Sequence, residues 1–154
     1  MIKGILFAIS MASNASKKFA SAGFLYNPKT ESVLLHLRDG NTTFNPNKWS
    51  LFGGLGEGNE TPLEAFIREI YEEIGLVIES KNVISLSEYL NEAIDTTKYT
   101  FFVVSDIDIS ALKLGEGAGF EWVKLSDLER YDLTVGTRRD LLYFINSKVN
   151  LIVV

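Results

Sequence analysis

Glu69, Glu72 and Glu73 crowd into one short stretch beside Arg68, between Gly54 and Leu76. If that stretch is helical, the three carboxylates share an arc, because positions i, i+3 and i+4 are neighbours on a helix surface. Like charges so placed repel by about 0.2–0.5 kcal/mol per pair. A hard divalent cation would turn the repulsion into attraction, since Mg²⁺ takes octahedral oxygen ligands and bridges carboxylate to phosphate. The alternative is a solvated acidic face, offset by Arg68 and lysines. The glycine-rich approach to the segment and the register of Arg68 favour the cation.

The elements that must position these groups are legible nearby. Thr61-Pro62-Leu63-Glu64 is a helix start, with Thr61 as N-cap, Pro62 at the first helical position and Glu64 completing a capping box. Gly75 is a left-handed stop, so the intervening helix has about four turns. Leu63, Phe66, Ile67, Ile70, Tyr71 and Ile74 form its apolar arc, with the three glutamates opposite. Ahead of it, Gly53-Gly54-Leu55-Gly56-Glu57-Gly58 reads as a loop in which glycine permits positive φ and close backbone approach to a ligand. It has neither the G-x-G-x-x-G order of a dinucleotide site nor the Lys-Ser/Thr ending of a P-loop.

The 154 residues suit one domain with a proper core, and 46% hydrophobic with 23% charged residues is ordinary for a globular protein. A net charge of −5 argues against binding a nucleic-acid polymer, which needs a basic surface. Cysteine is absent, which excludes disulfides, zinc-thiolate sites and thiol catalysis and agrees with a cytoplasmic setting. Residues 1–18 form an N-terminal arm or extra strand. Its apolar run also has the shape of a short secretory leader, with Ser13-Asn14-Ala15 as a cleavage site. It is far shorter than the roughly 20 residues of a membrane span, so no membrane partner is expected.

Residues 19–154 read as the domain itself. Strands are expected at Phe19–Tyr26, Ser32–Arg38, Asn82–Leu90, Lys98–Val104 and Phe120–Leu125. A short helix capped by Ser126 and a longer one over Thr137–Ser147 follow. Val149–Val154 is strand-like, suited to a sheet edge or a subunit contact, which leaves a homodimer open. Strands mixed with two principal helices give an α/β layered domain.

Gly54, Glu60, Arg68, Glu69, Ile70, Glu72, Glu73, Gly75 and Leu76 meet the pattern G-x5-E-x7-R-E-U-x-E-E-x-G-U without a gap, U being a bulky aliphatic residue. The chain thereby resembles the Nudix hydrolases, metal-dependent enzymes that cut diphosphate bonds in nucleotide-like substrates. The resemblance implies the Nudix fold, a mixed β-sheet sandwiched between α-helices. It also implies Mg²⁺, with Mn²⁺ as substitute, held by the Gly53 carbonyl, Glu72 and Glu73, and Glu69 as a further ligand or the general base. Arg68 becomes an organiser held by Glu60, and Glu57 falls near a second metal. Glu116, in Glu116-Gly117-Ala118-Gly119-Phe120-Glu121-Trp122, takes the place of a distant ligand or base, with Glu121 as its competitor. Arg38 resembles a phosphate-contacting arginine.

Other groups have plainer readings. Trp49 can stack on a base or belong to the core, Arg138 and Arg139 reach a phosphate or flank the last helix, and His36 is assigned to packing. Relatives that clean oxidised nucleotides commonly carry Pro before the paired glycines, where this chain has Phe52, so the substrate is not carried over. The expected activity is a nucleoside triphosphate pyrophosphatase acting on a small nucleotide-type diphosphate. The alternatives are an ADP-ribose or nucleotide-sugar hydrolase and a non-catalytic nucleotide sensor. Isopentenyl diphosphate isomerases share the fold but use a cysteine that is absent here.

Overall fold

The computed structural model describes residues 18–152, so the expected leader or arm lies almost wholly outside the described residues. Strands β1 (Phe19–Asn27), β2 (Ser32–Leu37), β3 (Trp49–Ser50) and β4 (Phe52–Leu55) precede helix α1 (Pro62–Ile74). Strands β5 (Val83–Asn91), β6 (Thr96–Val104) and β7 (Gly119–Lys124) precede helix α2 (Val135–Ile152). They form one mixed sheet of order β3-β2-β1-β6-β5, in which β4 also pairs with β1 and β7 with β2. The β1/β6 pair is parallel and the other pairs are antiparallel.

Strand periodicity sorts the core into two layers. Phe24 and Tyr26 of β1, with Val33 and Leu35 of β2, pack towards Leu141 and Phe144 of α2. Leu25 and Leu34 face the other way, onto Phe66, Ile70 and Ile74 of α1. The sheet is thus sandwiched between the two helices, the fold class read from the sequence.

Helix α1 begins and ends where the sequence places it. Thr61 and Glu64 form the reciprocal capping box, and Gly75 closes the helix in the left-handed region at φ 68°. Its buried face differs from the expected arc: Glu69 and Glu73 are buried with Ala65, Phe66, Ile70 and Ile74, whereas Tyr71 is 59% exposed. The helix turns its acidic flank to β4, where glycine leaves room. A Cβ on Gly54 would fall 2.3 Å from Glu69 Oε1.

Three further expectations are corrected. Gly53–Leu55 is not loop but strand, because β4 pairs Gly53 with Ala22 and Gly54 with Ser21. The turn expected to be capped by Ser126 is a 3₁₀ helix over Leu125–Arg130 with Lys124 at its N-cap and no side-chain capping bond. It starts early because Leu125 N donates to Glu31 O as β7 ends. The strand-like tail instead continues α2 to Ile152. Extending a formed helix adds one hydrogen bond per residue, whereas a strand there needs a partner edge.

Candidate active site

Strand β4 and helix α1 build one wall of a cleft of about 410 Å³, and β2 with the segment before β7 builds the other. Its lining brings together Arg38, Gly53, Gly54, Glu57, Glu69, Glu72, Glu73 and Glu116, together with His36, Asp39, Thr42 and Gly117. Glu69, Glu73 and Glu116 converge most tightly, each offering a carboxylate oxygen within 4.8 Å of the others.

Burial decides the electrostatics of the pair on α1. Glu73 is 5% exposed. Desolvation first, then the charges of Glu69 and Glu116, push its carboxyl up to about 9, although Gly53 N–H donates to Oε2 at 3.0 Å. Glu69 is also raised, mainly by burial and against the pull of Arg68. Burial with too little positive charge beside it favours the neutral form of Glu73, and burial pushes Glu69 in the same direction against its bond from Arg68. An all-oxygen carboxylate set of this kind fits a hard divalent cation, which would remove that cost.

Arg68 governs the rest of the helix face. Its Nη2 donates to Glu60 Oε1 at 2.7 Å and to Leu55 O at 3.1 Å, and its Nε to Glu60 Oε2 at 3.1 Å. Nη1 reaches Glu69 at 3.0 Å and Glu72 at 3.2 Å. The arginine holds Glu60 below the usual carboxylate range through those hydrogen bonds. Glu72 lies in the cleft lining with its carboxylate on Arg68, and Glu57 is an exposed rim residue 3.7 Å from the same guanidinium. On the opposite side Arg38 donates from Nε to Phe44 O at 3.1 Å and from Nη2 to Thr42 Oγ1 at 2.9 Å.

Between the competing acids, Glu116 lies in the cleft. Glu121 instead accepts from Tyr131 OH at 3.0 Å on β7, away from the cleft lining. Trp49 is outside that lining too: its ring meets Tyr131 edge-on at 5.5 Å and packs against the α2-side core. Arg138 pairs with Glu129 at 2.8 Å, and Arg139 lies over the Tyr89 ring at 3.8 Å, so neither lines the cleft.

His36 is more than packing. It is 4% exposed, stacks on Phe52 with centroids 5.2 Å apart, and has Nδ1 3.5 Å from Glu73 Oε1. Its Nε2 meets Glu116 O at 2.7 Å. A carbonyl only accepts, so Nε2 carries the proton. Burial lowers the imidazole pKa and keeps the ring neutral. Asp39 and Thr42, in the loop after β2, were also unassigned from sequence. The pairing of β2 with β7, His36 opposite Phe120, brings the two segments together, and no local signal announces it.

Residues 17–143 match the NUDIX domain family, and the chain belongs to it. Nucleoside triphosphatase NudI from Escherichia fergusonii is 33% identical over 106 residues, 62% of this chain and 75% of that protein. Human nucleoside diphosphate-linked moiety X motif 6 is 26% identical over 137 residues; the match spans 84% of this chain but only 42% of the human protein. The fold is similar to that of the MutT protein from Methanosarcina mazei Go1, with a TM-score of 0.67 at 24% identity over 84% of this chain and 94% of that one. Among the described residues no helix is long and apolar enough to cross a membrane.

Proposed function

We propose that this Nudix hydrolase is a divalent-metal-dependent nucleoside triphosphate pyrophosphatase. The observation that carries the reading is the convergence of Glu69, Glu73 and Glu116 in one cleft with Arg38 among its lining residues. The similarity to nucleoside triphosphatase NudI supports the choice of a triphosphate.

Glu69, Glu73 and Glu116, with Glu72 and the Gly53 carbonyl beside them and Glu57 at the rim, would hold Mg²⁺, or Mn²⁺ in its place. Such a cation neutralises diphosphate oxygens and makes a water acidic enough to be deprotonated near neutral pH. Arg38 binds a phosphate of the substrate, its planar guanidinium suited to paired oxygens. Arg68 touches no substrate; it fixes Glu69 and Glu72 relative to the loop carrying Glu60. A carboxylate oxygen of Glu69 or Glu116 takes the proton of the attacking water. The water oxygen bonds to one phosphorus while the anhydride P–O bond on its far side breaks, yielding nucleoside monophosphate and pyrophosphate. Most of the acceleration comes from fixed charge and positioning.

The test is hydrolysis of ordinary and oxidised nucleoside triphosphates, ADP-ribose, nucleotide sugars and dinucleoside polyphosphates with Mg²⁺, wild type beside Glu73→Gln, products identified by mass. Pyrophosphate release from a triphosphate that vanishes in the variant is the expected result. Cleavage of ADP-ribose or a nucleotide sugar alone replaces the substrate assignment. Nucleotide binding without cleavage removes the catalytic reading.

A further inference from the structure

Glu116 reaches the cleft from a segment with little structure of its own. Glycine precedes and follows it, and Gly117 sits at φ 87°, in the left-handed region. Three contacts pin this segment. Gly115 N donates to Glu73 O at 2.9 Å, Ala118 N donates to Leu37 O at 2.8 Å, and between them His36 Nε2 donates to the carbonyl of Glu116 at 2.7 Å.

The fit around the imidazole is close. A Cβ on Gly117 would fall 2.2 Å from His36 Nε2, and one on Gly115 would fall 2.1 Å from Glu72 O. The ring is held in turn by its stack on Phe52, the residue immediately before Gly53. The one imidazole therefore touches the strand that leads into the glycine pair and the backbone of the distant acid.

We propose that His36 is a positioning residue whose Nε2–H anchors the Glu116 carbonyl and so sets the third carboxylate against Glu69 and Glu73. This rests on the reading of Glu116 as a cation ligand or base. Side chains that orient metal ligands through a hydrogen bond are worth about 10- to 100-fold in metal affinity or activity when removed. His36 acts at one remove from Glu116, through its backbone.

Three replacements separate the roles of the ring. His36→Phe keeps an aromatic on Phe52 and removes the donor. His36→Gln carries an amide N–H near the Nε2 position, and His36→Asn carries one too short to reach. The readouts are Mn²⁺ binding followed by its paramagnetic signal, amide hydrogen exchange over residues 115–118, and kcat and KM with the best triphosphate. The expected result is that Phe and Asn weaken Mn²⁺ binding by about 10-fold or more, speed exchange in that segment and lower kcat more than they raise KM. Gln recovers most of each loss. In a Glu116→Gln background His36→Phe costs less in kcat and Mn²⁺ affinity than it does alone. The group it positions is then gone, and only the 3.5 Å approach of Nδ1 to Glu73 Oε1 is left to lose.

Losses that multiply in the double variant, or unchanged exchange over residues 115–118 in His36→Phe, overturn the proposal. Wild-type protein that neither binds Mn²⁺ nor cleaves any diphosphate removes the hydrolase reading alone, since the exchange data still decide whether His36 holds the segment.

Discussion

Arg68 grips both carboxylate oxygens of Glu60, with Nη2 2.7 Å from Oε1 and Nε 3.1 Å from Oε2. A fork of this geometry fixes the plane of the guanidinium, which leaves Nη1 aimed at Glu69 and Glu72. The pair is a jig for the acidic face of α1, and its effect on activity should exceed its effect on folding.

Arg68→Lys keeps the charge and loses the fork. Exposed charge pairs contribute little and hydrogen bonds to charged groups more, so a loss of about 1–2 kcal/mol is expected for this partly exposed cluster. Urea titration reads it. Turnover should fall by about 100-fold or more, because small misplacements of catalytic groups are costly. A variant as active as wild type would deny Arg68 its organising role.

Glu73→Gln separates the cost of the carboxylate from its use. The replacement removes a buried acid that burial disfavours in its charged form, so the metal-free protein should melt at the same temperature or higher. Mg²⁺-dependent turnover should drop by at least about 100-fold. A variant that melts lower and hydrolyses normally contradicts both expectations.

The pH dependence of the metal-free protein follows from the same carboxyl. Its pKa rises from 4.5 in the unfolded chain to about 9 in the fold. Below pH 4.5 both states hold the proton. Between the two values the unfolded chain has released it and the folded protein has not, so the folded state binds more protons and stability falls as pH rises. Thermal melts with chelator should therefore decline across that window, less steeply in Glu73→Gln. Mg²⁺ should raise the melting temperature more at pH 8.5 than at about pH 6, since its ligands must be ionised.

Gly54→Ala tests the space that lets Glu69 lie against β4. The added Cβ would sit 2.3 Å from Glu69 Oε1. Overpacking of this kind costs about 1–3 kcal/mol, and the displaced carboxylate should weaken Mn²⁺ binding in calorimetry. Unchanged affinity would mean that Glu69 does not depend on its present seat.

Arg38→Gln is expected to raise KM by about 10-fold, a loss equivalent to one hydrogen bond to a charged group, with a smaller effect on kcat. Steady-state kinetics on the cleaved triphosphate decide it. A selective fall in kcat would instead place Arg38 on the charge that develops during bond breaking.

What could be read directly from the chain was local. The capping box, the Gly75 stop and the Glu60–Arg68 spacing all lie within one loop and helix, so their chemistry is written in consecutive residues. Glu116 was found by its place before Trp122, a resemblance and not a derivation. His36 reads as packing from sequence and is indeed buried on Phe52, but an imidazole in an apolar strand gives no sign that it also meets a carbonyl far along the chain. The rotation of α1 that buries Glu69 and exposes Tyr71 was missed for a similar reason: β4 supplies a wall of glycine, and wheel geometry alone does not know which flank meets it. At the C-terminus, β-branched residues suggested a strand where helix continuation prevailed.

The parallel pairing of β1 with β6 has a consequence for how the protein is made. Phe19 lies opposite Thr97 and Tyr26 opposite Val104, so the central ladder cannot close until most of the chain has left the ribosome. The helix bearing Glu69 and Glu73 is synthesised well before the central sheet is complete. Long-range strand pairing is slow and leaves apolar surface open in the interim. During that interval the two carboxyls stay hydrated and ionised. The cleft that brings Glu69 and Glu73 to Glu116 cannot be complete until the segment before β7 has been made.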